Sequence, residues 1–396
     1  MSEQTENQQV PTHDAVFTGL SGNEMYCADA IGYRPGNMVV GNSVFALGLV
    51  GSLTSGFRSA LGGEVTQFTH MIYEGRRLSL ERLINELAQH SGDGATSVNS
   101  EIVFHGNNIE FLSVGSAIHH KDNPGGRTPF TTSSDGQELF CQIDAGYDPV
   151  SFVFGNVAYS VGIARGILGG FRALAKGEVK EYSDVFTATR HLALERIMAE
   201  ARSVNANSVV GIQTSILPFG TTGVQEMMMI GTAANHPKVS EISDKVDVIT
   251  SDLTCEEMWN VTRLGYMPLQ LVLGTSVYSL GVVGGITSAL QSLVRGEVTA
   301  MTELIYGARE ESLKKVQAQA TAIGADDVLG IKTYVYQLGN GLIEFLAIGT
   351  AVKRVSGLKT KSDQLPPQAI INDKDTFINT AELSFGVDLN NGRRMR

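Results

Sequence analysis

Cysteine is scarce in this chain. Cys27, Cys141 and Cys255 are too few and too scattered for a disulfide framework or a paired-cysteine metal knuckle, which points to a reducing compartment. Positive charge is also in short supply, with 30 Lys and Arg against 41 Asp and Glu, a net charge of −11 and a pI near 5.3. No cationic cluster stands out, and a phosphate-backbone partner would need one, so nucleic acid is excluded. The stretch from Met1 to Gln9 has neither the basic nor the apolar region of a secretory signal, and the expected location is cytoplasmic. P-loop, GxSxG, HExxH and dinucleotide fingerprints are all missing. No nucleophile therefore comes paired with a base, so the chain reads as a non-enzyme with no cofactor. Charge is absent from Asn37 to Phe57 and from Leu264 to Val294, long enough to raise a transmembrane reading. Pro268 and Gly274 interrupt the second run, and the matching positions of the middle third carry Asp148, Arg165 and Arg172. Three versions of one pattern should share one solvent, so no membrane partner is expected.

Repetition is what the sequence has in abundance. An anchor glycine (Gly41, Gly155, Gly274) is followed after 22 residues by Gly-Glu-Val and, 12 residues past that Glu, by an Arg: Glu64 and Arg76, Glu178 and Arg190, Glu297 and Arg309. Ungapped register at spacings of 114 and 119 residues marks a tandem repeat of three units, each large enough for its own core.

Each unit opens with a helix-start signature, Ser21-x-x-Glu24, Asp135-x-x-Glu138 or Thr254-x-x-Glu257, and closes that helix at Gly32-Tyr33-x-Pro35 and its equivalents at Gly146 and Gly265. A short apolar run follows (Met38 to Val40, Phe152 to Phe154, Leu271 to Leu273) and reads as a buried strand. From the anchor glycine a first core helix is expected. Its small residues Gly48, Ser52 and Gly56, Gly162, Gly166 and Gly170, and Gly281, Gly285 and Ala289 fall four apart on one face, where another backbone can approach. They serve packing within the unit or an interface between units. A second, longer helix runs from near Val65 to Gln89, with Phe68, Ile72, Gly75, Ser79, Leu83 and Leu87 as its apolar stripe. Ser91, Asn205 and Gly324 mark the helix ends, and two strands follow, joined at Gly106-Asn107-Asn108, Gly220 to Gly223 and Gly339-Asn340-Gly341. The fold class is α+β: three tandem β-α-β-β units, each preceded by a short capped helix. The division expected is a disordered tail over 1–20, units over 21–120, 134–236 and 251–354, linkers over 121–133 and 237–250, and a C-terminal tail over 355–396. An apolar patch from Phe377 to Val387 would make that tail a docking segment for a protein partner.

The order Gly-Tyr-x-Pro, strand, anchor glycine, Gly-Glu-Val, long helix, then Gly324-Ala325-Asp326-Asp327-Val328-Leu329-Gly330-Ile331 and Glu344 to Val352 resembles the YbjQ-like family, labelled "putative heavy-metal-binding domain". The resemblance covers about residues 20–120, 134–236 and 251–354, with the first unit departing at Ser91 to Ser97. It implies a unit related to dodecin-like folds that assembles into pentameric rings, and it implies no reaction.

Three charged positions stand out as holding their sign in every unit: Glu64, Glu178 and Glu297; Arg76, Arg190 and Arg309; and Glu110, Glu226 and Glu344 on the last strand. Glu64 and Arg76 would lie some 18 Å apart along one helix and cannot pair there, by a rise of about 1.5 Å per residue. Arg76 is left to meet Glu110 or a carboxylate of a neighbour, as an ion pair or as a ligand contact. Metal ligands are thinner still: Cys27 and Cys141 share a repeat position that is Asn260 in the third unit, and His120 matches His236 but Arg354. His119 and His120 point to opposite faces of a strand, and Met227-Met228-Met229 reads as core. The leading functional reading is a self-assembling homo-oligomer built on five-fold rings, stacked rings or a closed shell. The alternative is a sensor or storage protein that binds a small ligand or heavy metal between units.

Overall fold

The computed structural model describes residues 15–46, 64–122, 124–125, 128–160, 177–219, 224–242, 246–279, 299–339 and 342–365. In chain order the first unit comprises α1 (Gly22–Ala30), β1 (Tyr33–Ala46), α2 (Thr66–Gln89), β2 (Gly94–His105) and β3 (Asn108–His120). A short β4 (Phe130–Thr131) leads into the second unit, with α3 (Gly136–Asp144), β5 (Asp148–Ser160), β6 (Gly177–Glu178), α4 (Lys180–Ser203), β7 (Ser208–Phe219) and β8 (Val224–Asn235). After α5 (Val239–Ile242) and β9 (Ile249–Thr250), the third holds α6 (Cys255–Arg263), β10 (Tyr266–Ser279), α7 (Thr299–Ile323), β11 (Asp327–Gly339) and β12 (Leu342–Arg354).

The three opening helices start as their sequences dictate. Ser21, Asp135 and Thr254 each accept the N3 backbone N–H, while Glu24, Glu138 and Glu257 reach back to the cap's own N–H. Gly32, Gly146 and Gly265 then take φ of +89°, +95° and +78°, the left-handed conformation that ends a helix and that glycine adopts without strain.

In each unit a long helix lies across an antiparallel sheet whose central strand is the last in sequence: β1-β3-β2, β5-β8-β7 and β10-β12-β11. The first strand corrects an expectation. It does not stop at the anchor glycine to begin a helix, but runs on to Ala46, Ser160 or Ser279. Side chains after Gly41 alternate, Asn42 outward and Ser43 inward, and Ser43 donates to Gly75 O at 2.7 Å, as Ser276 does to Ala308 O. The glycine is there because the helix touches the strand. A Cβ on Gly41, Gly155 or Gly274 would lie 2.0, 2.3 or 2.0 Å from the carbonyl oxygen of Ser79, Ala193 or Ser312. The nine small positions from Gly48 to Ala289 lie outside the described residues.

Sheets are also extended across unit boundaries. β4 adds in parallel to β2 of the first unit and β9 to β7 of the second. β6 adds to β10 of the third unit, and Glu64 bridges Tyr159 in the same sense. The cores accordingly run through: Leu271, Leu273, Leu346 and Ile348 of the third sheet pack in one cluster with Leu194, Ile197 and Met198 of α4.

Candidate functional site

The chemistry-bearing residues gather at the two boundaries between units, beginning with the Arg of each long helix. Arg76 on α2 is fully buried. Its Nη1 donates to Ser100 O and Oγ at 2.8 and 2.9 Å in its own unit, and its Nη2 reaches Glu226 Oε2 on β8 of the next unit at 3.1 Å. Arg190 on α4 repeats the arrangement more tightly. Its Nη2 is 2.9 Å from both oxygens of Glu344 on β12, its Nε is 3.3 Å from Oε1, and Nη2 also donates to Tyr159 OH at 3.2 Å. The guanidinium lies 4.9 Å from the Tyr159 ring centroid and 5.5 Å from that of Phe186. Burial pushes the Glu344 carboxyl above its ordinary range, and the Arg190 cation is the charge that opposes the shift. Removing one partner of such a buried pair strands the other, at a cost of about 3–5 kcal/mol.

Apolar contact surrounds each pair. Phe152, Phe154, Met228 and Ile230, on the outer face of the second sheet, pack against Tyr73, Leu80 and Ile84 of α2. A side chain of this kind contributes about 1.5–3 kcal/mol when fully buried. Polar bonds then fix register. Ala158 N donates to Thr69 Oγ1 at 2.9 Å, Val277 N to Ser183 Oγ at 2.9 Å, and Tyr73 OH to Glu200 Oε1. At the rim Arg196 holds Glu64 at 2.8 Å and Lys315 holds Glu178 at 3.3 Å, so a cation six residues after the repeat Arg of the long helix meets the preceding unit's Gly-Glu-Val. Arg82 completes that cationic set, a fourth sign-keeping position that the sequence reading passed over although repeat register exposes it. Partly exposed pairs of this type are worth about 0–1 kcal/mol, so they select geometry more than they stabilise.

The chain ends differ. Arg309 on α7, third in the buried-Arg series, is exposed, and Glu297 lies outside the described residues. Glu110 accepts from Asn42 Nδ2 at 3.0 Å and meets His105 Nε2 at 2.6 Å, and these hydrogen bonds hold its carboxyl below the usual range.

The metal candidates are built into packing. Cys27, Cys141 and Cys255 share one apolar cluster with the opening helices; burial lifts the Cys27 thiol to about 11 and the Cys255 thiol upward as well. His120 sits edge-on to Tyr33 with centroids 5.4 Å apart, and His236 lies 4.6 Å from Tyr147, where burial lowers its pKa. Among the described residues no three His, Cys, Asp or Glu side chains converge as a cation cage, and no helix is long and apolar enough to cross a membrane. Residues 355–365 follow the third unit and lie on the opening helices: Ser362 donates its N–H to Asp144 Oδ2 at 3.0 Å and its hydroxyl to Oδ1 at 2.6 Å. Trp259 Nε1 shares Oδ2 at 2.7 Å, a contact without any signal in the sequence. The Phe377 to Val387 patch lies outside the described residues.

Comparison with known proteins gives consistent findings. A family model described as "Putative heavy-metal-binding" matches residues 33–121, 147–236 and 265–355. An encapsulin nanocompartment protein of Mycobacterium tuberculosis is 27% identical over 236 residues, covering 58% of this chain and 88% of that protein. A UPF0145 protein of Thermotoga maritima is 38% identical over 87 residues, 22% of this chain and 81% of its own length. A UPF0145 protein of Pseudothermotoga lettingae is 32% identical over 102 residues, 24% of this chain and 92% of its own length.

Proposed function

The chain belongs to the YbjQ-like family, present three times along its length, and from that premise we propose that it is a non-enzymatic, self-assembling protein of the cytoplasm. Its units build homo-oligomeric rings of five that stack or close into a shell. The observation that carries this reading is the repeated junction: α2 grips the second sheet and α4 the third through the same buried Arg-Glu pair and the same apolar face. A unit with such a helix face and such a sheet face is made to meet another unit on either side. The similarity to an encapsulin nanocompartment protein, over a span longer than any single unit, supports assembly as the purpose of those faces. Three buried cysteines outside any disulfide suit a reducing compartment.

Five-fold symmetry and three-unit chains constrain each other. The internal junctions keep the three units of a chain side by side, so five-fold order takes five copies of every unit, fifteen units in five chains. The expected particle is therefore five chains of 42.4 kDa, about 212 kDa, or a multiple of that mass. Native mass spectrometry with electron microscopy of the purified particle tests this: five-fold views at such a mass support it, and a lone 42.4 kDa chain at every concentration overturns it.

A further inference from the structure

Among the described residues, the two internal junctions leave one half of the same junction bare on the first unit and the other half bare on the third. On the first sheet, Met38, Val40 and Val44 are 38%, 37% and 57% exposed, whereas their equivalents Phe152, Phe154 and Ala158, and Leu271, Leu273 and Val277, are all buried. Glu110 on that face stands where Glu226 and Glu344 lie under an arginine. At the other end of the chain α7 presents Arg309, exposed, with Tyr306 65% exposed at the position that Tyr73 occupies on α2. Tyr73 meets Glu200, and the matching residue of the first unit is Glu86.

The strand edges repeat the complementarity. β2 and β7 are each extended by a short parallel strand from the segment before the next opening helix, through Phe130 N to Asp93 O and Thr132 N to Ala95 O, and through Ile249 N to Asn207 O and Ser251 N to Val209 O. β11 is an outer strand with no such addition among the described residues. The equivalent segment of the first unit, Val16 and Phe17, is 52% and 78% exposed. Helix face, sheet face, ion pair and strand edge are therefore each half-present at opposite ends.

We infer that the third unit of one chain receives the first unit of a second copy, with Arg309 paired to the partner chain's Glu110 and the partner chain's segment Val16–Phe17 added in parallel to β11 at Asp327 and Val328. This rests on the assembly reading above and specifies its contact. The join is head-to-tail, so two different surfaces meet and chains propagate until the curvature closes them. Joining requires Glu110 to leave Asn42 and His105 for the guanidinium, an exchange of partners that keeps the carboxylate hydrogen-bonded throughout.

Charge reversal tests it. Arg309 and Glu110 are solvent-accessible in the single chain, so Arg309→Glu and Glu110→Arg should each fold, as far-UV circular dichroism and Trp259 emission will report. Each variant alone should lose the high-mass species and run as a 42.4 kDa chain, and the double variant Arg309→Glu with Glu110→Arg should recover it because every junction again joins opposite charges whatever the number of chains. Assembly of either single variant at the wild-type mass overturns the junction while leaving the assembly reading intact. A wild-type chain that never assembles overturns both. Arg309→Lys gives an independent readout on an assembled particle. Carbodiimide activates the Glu110 carboxylate, the new amine displaces the activating group to form an amide, and mixed isotope-labelled and unlabelled chains reveal an inter-chain peptide joining positions 309 and 110. An assembled Arg309→Lys particle without that peptide also overturns the junction.

Discussion

Replacing Arg190 with Met should uncouple the second and third units. The substitution keeps an unbranched apolar stem in place of the arginine's but removes the guanidinium, which leaves Glu344 fully buried without a counter-charge and takes away the donor to Tyr159 OH. Stranding one member of a buried pair costs about 3–5 kcal/mol. With a urea slope of about 1–2 kcal/mol/M for a unit of this size, the midpoint of the affected transition should fall by about 2 M or more. The sole tryptophan reports on this boundary, because Trp259 on α6 donates to Asp144 on α3 at 2.7 Å. Arg76→Met, acting one boundary earlier, should move the circular-dichroism transition while shifting Trp259 emission less. The sign of the pH effect follows from the carboxyl. Without Arg190 the folded-state pKa of Glu344 rises further above its unfolded value, so the folded state holds the proton more tightly. The Arg190→Met deficit should then be smallest near about pH 4, the ordinary glutamate value, and grow as pH rises through the lifted pKa. Replacing both partners, Arg190→Met with Glu344→Leu, should recover most of the loss, because no charge is left in the apolar boundary. A deficit below about 1 kcal/mol at pH 8, or a double variant no more stable than the single, would refute the reasoning.

Gly155→Ala places a methyl 2.3 Å from Ala193 O, where only backbone movement relieves it, and thermal unfolding should show a loss of about 1–3 kcal/mol. Gly307→Ala, within α7 where a Cβ meets nothing within 4 Å, should instead stabilise by about 0.5–1 kcal/mol. A thiol reagent should label none of Cys27, Cys141 and Cys255 in the native protein at pH 8 and all three in guanidinium, since all are buried and the Cys27 thiol is pushed up to about 11. Asp144→Asn puts an amide where three donors converge, from Ser362 N, Ser362 Oγ and Trp259 Nε1; trypsin should then cut after Lys359 and Lys361 faster than in the wild type, with Trp259 emission shifted to the red.

The parts of the fold legible in the sequence are those set by local chemistry. Capping boxes at Ser21, Asp135 and Thr254, left-handed stops at Gly32, Gly146 and Gly265, and positive φ at Ser91, Asn205 and Gly324 all depend on a handful of adjacent residues. The anchor glycine misled because its cause is not local. Gly41, Gly155 and Gly274 make room for a helix some forty residues further on, and the strand alternation beyond them shows in only a few side chains before small residues at helical spacing take over. The bulge at Ser97, Gly211 and Gly330, with φ of +55°, +63° and +64°, was visible only as a mismatch of the first unit, where Ser stands in for Gly. Spacing alone left Arg76 open to Glu110 or to a neighbour, because repeat register places both carboxylates at the same point of equivalent sheets. Which side of the sheet meets which helix decides it: the helix lies on the inner face of its own sheet, while Glu226 projects from the outer face of the next.

Covalent linkage explains why identical positions are buried inside the chain and wet at its ends. Tethering two units on one chain makes their encounter intramolecular, with an effective concentration that two free units would not reach. Under that condition a junction can hold a fully desolvated Arg-Glu pair, because the apolar contacts around it form together with the pair and offset the loss of hydration. At the chain ends the same residues must be tolerable in solution before any partner arrives. There Glu110 is shared between Asn42 and His105, Arg309 extends into water, and Val44 replaces the fully buried Ala158 and Val277 on a face that no helix among the described residues covers. Under the proposed head-to-tail join, fusion of three units makes two junctions permanent and leaves one reversible, so that the mass of the assembled particle would be set at a single kind of contact whose polar partners can be exchanged one for another.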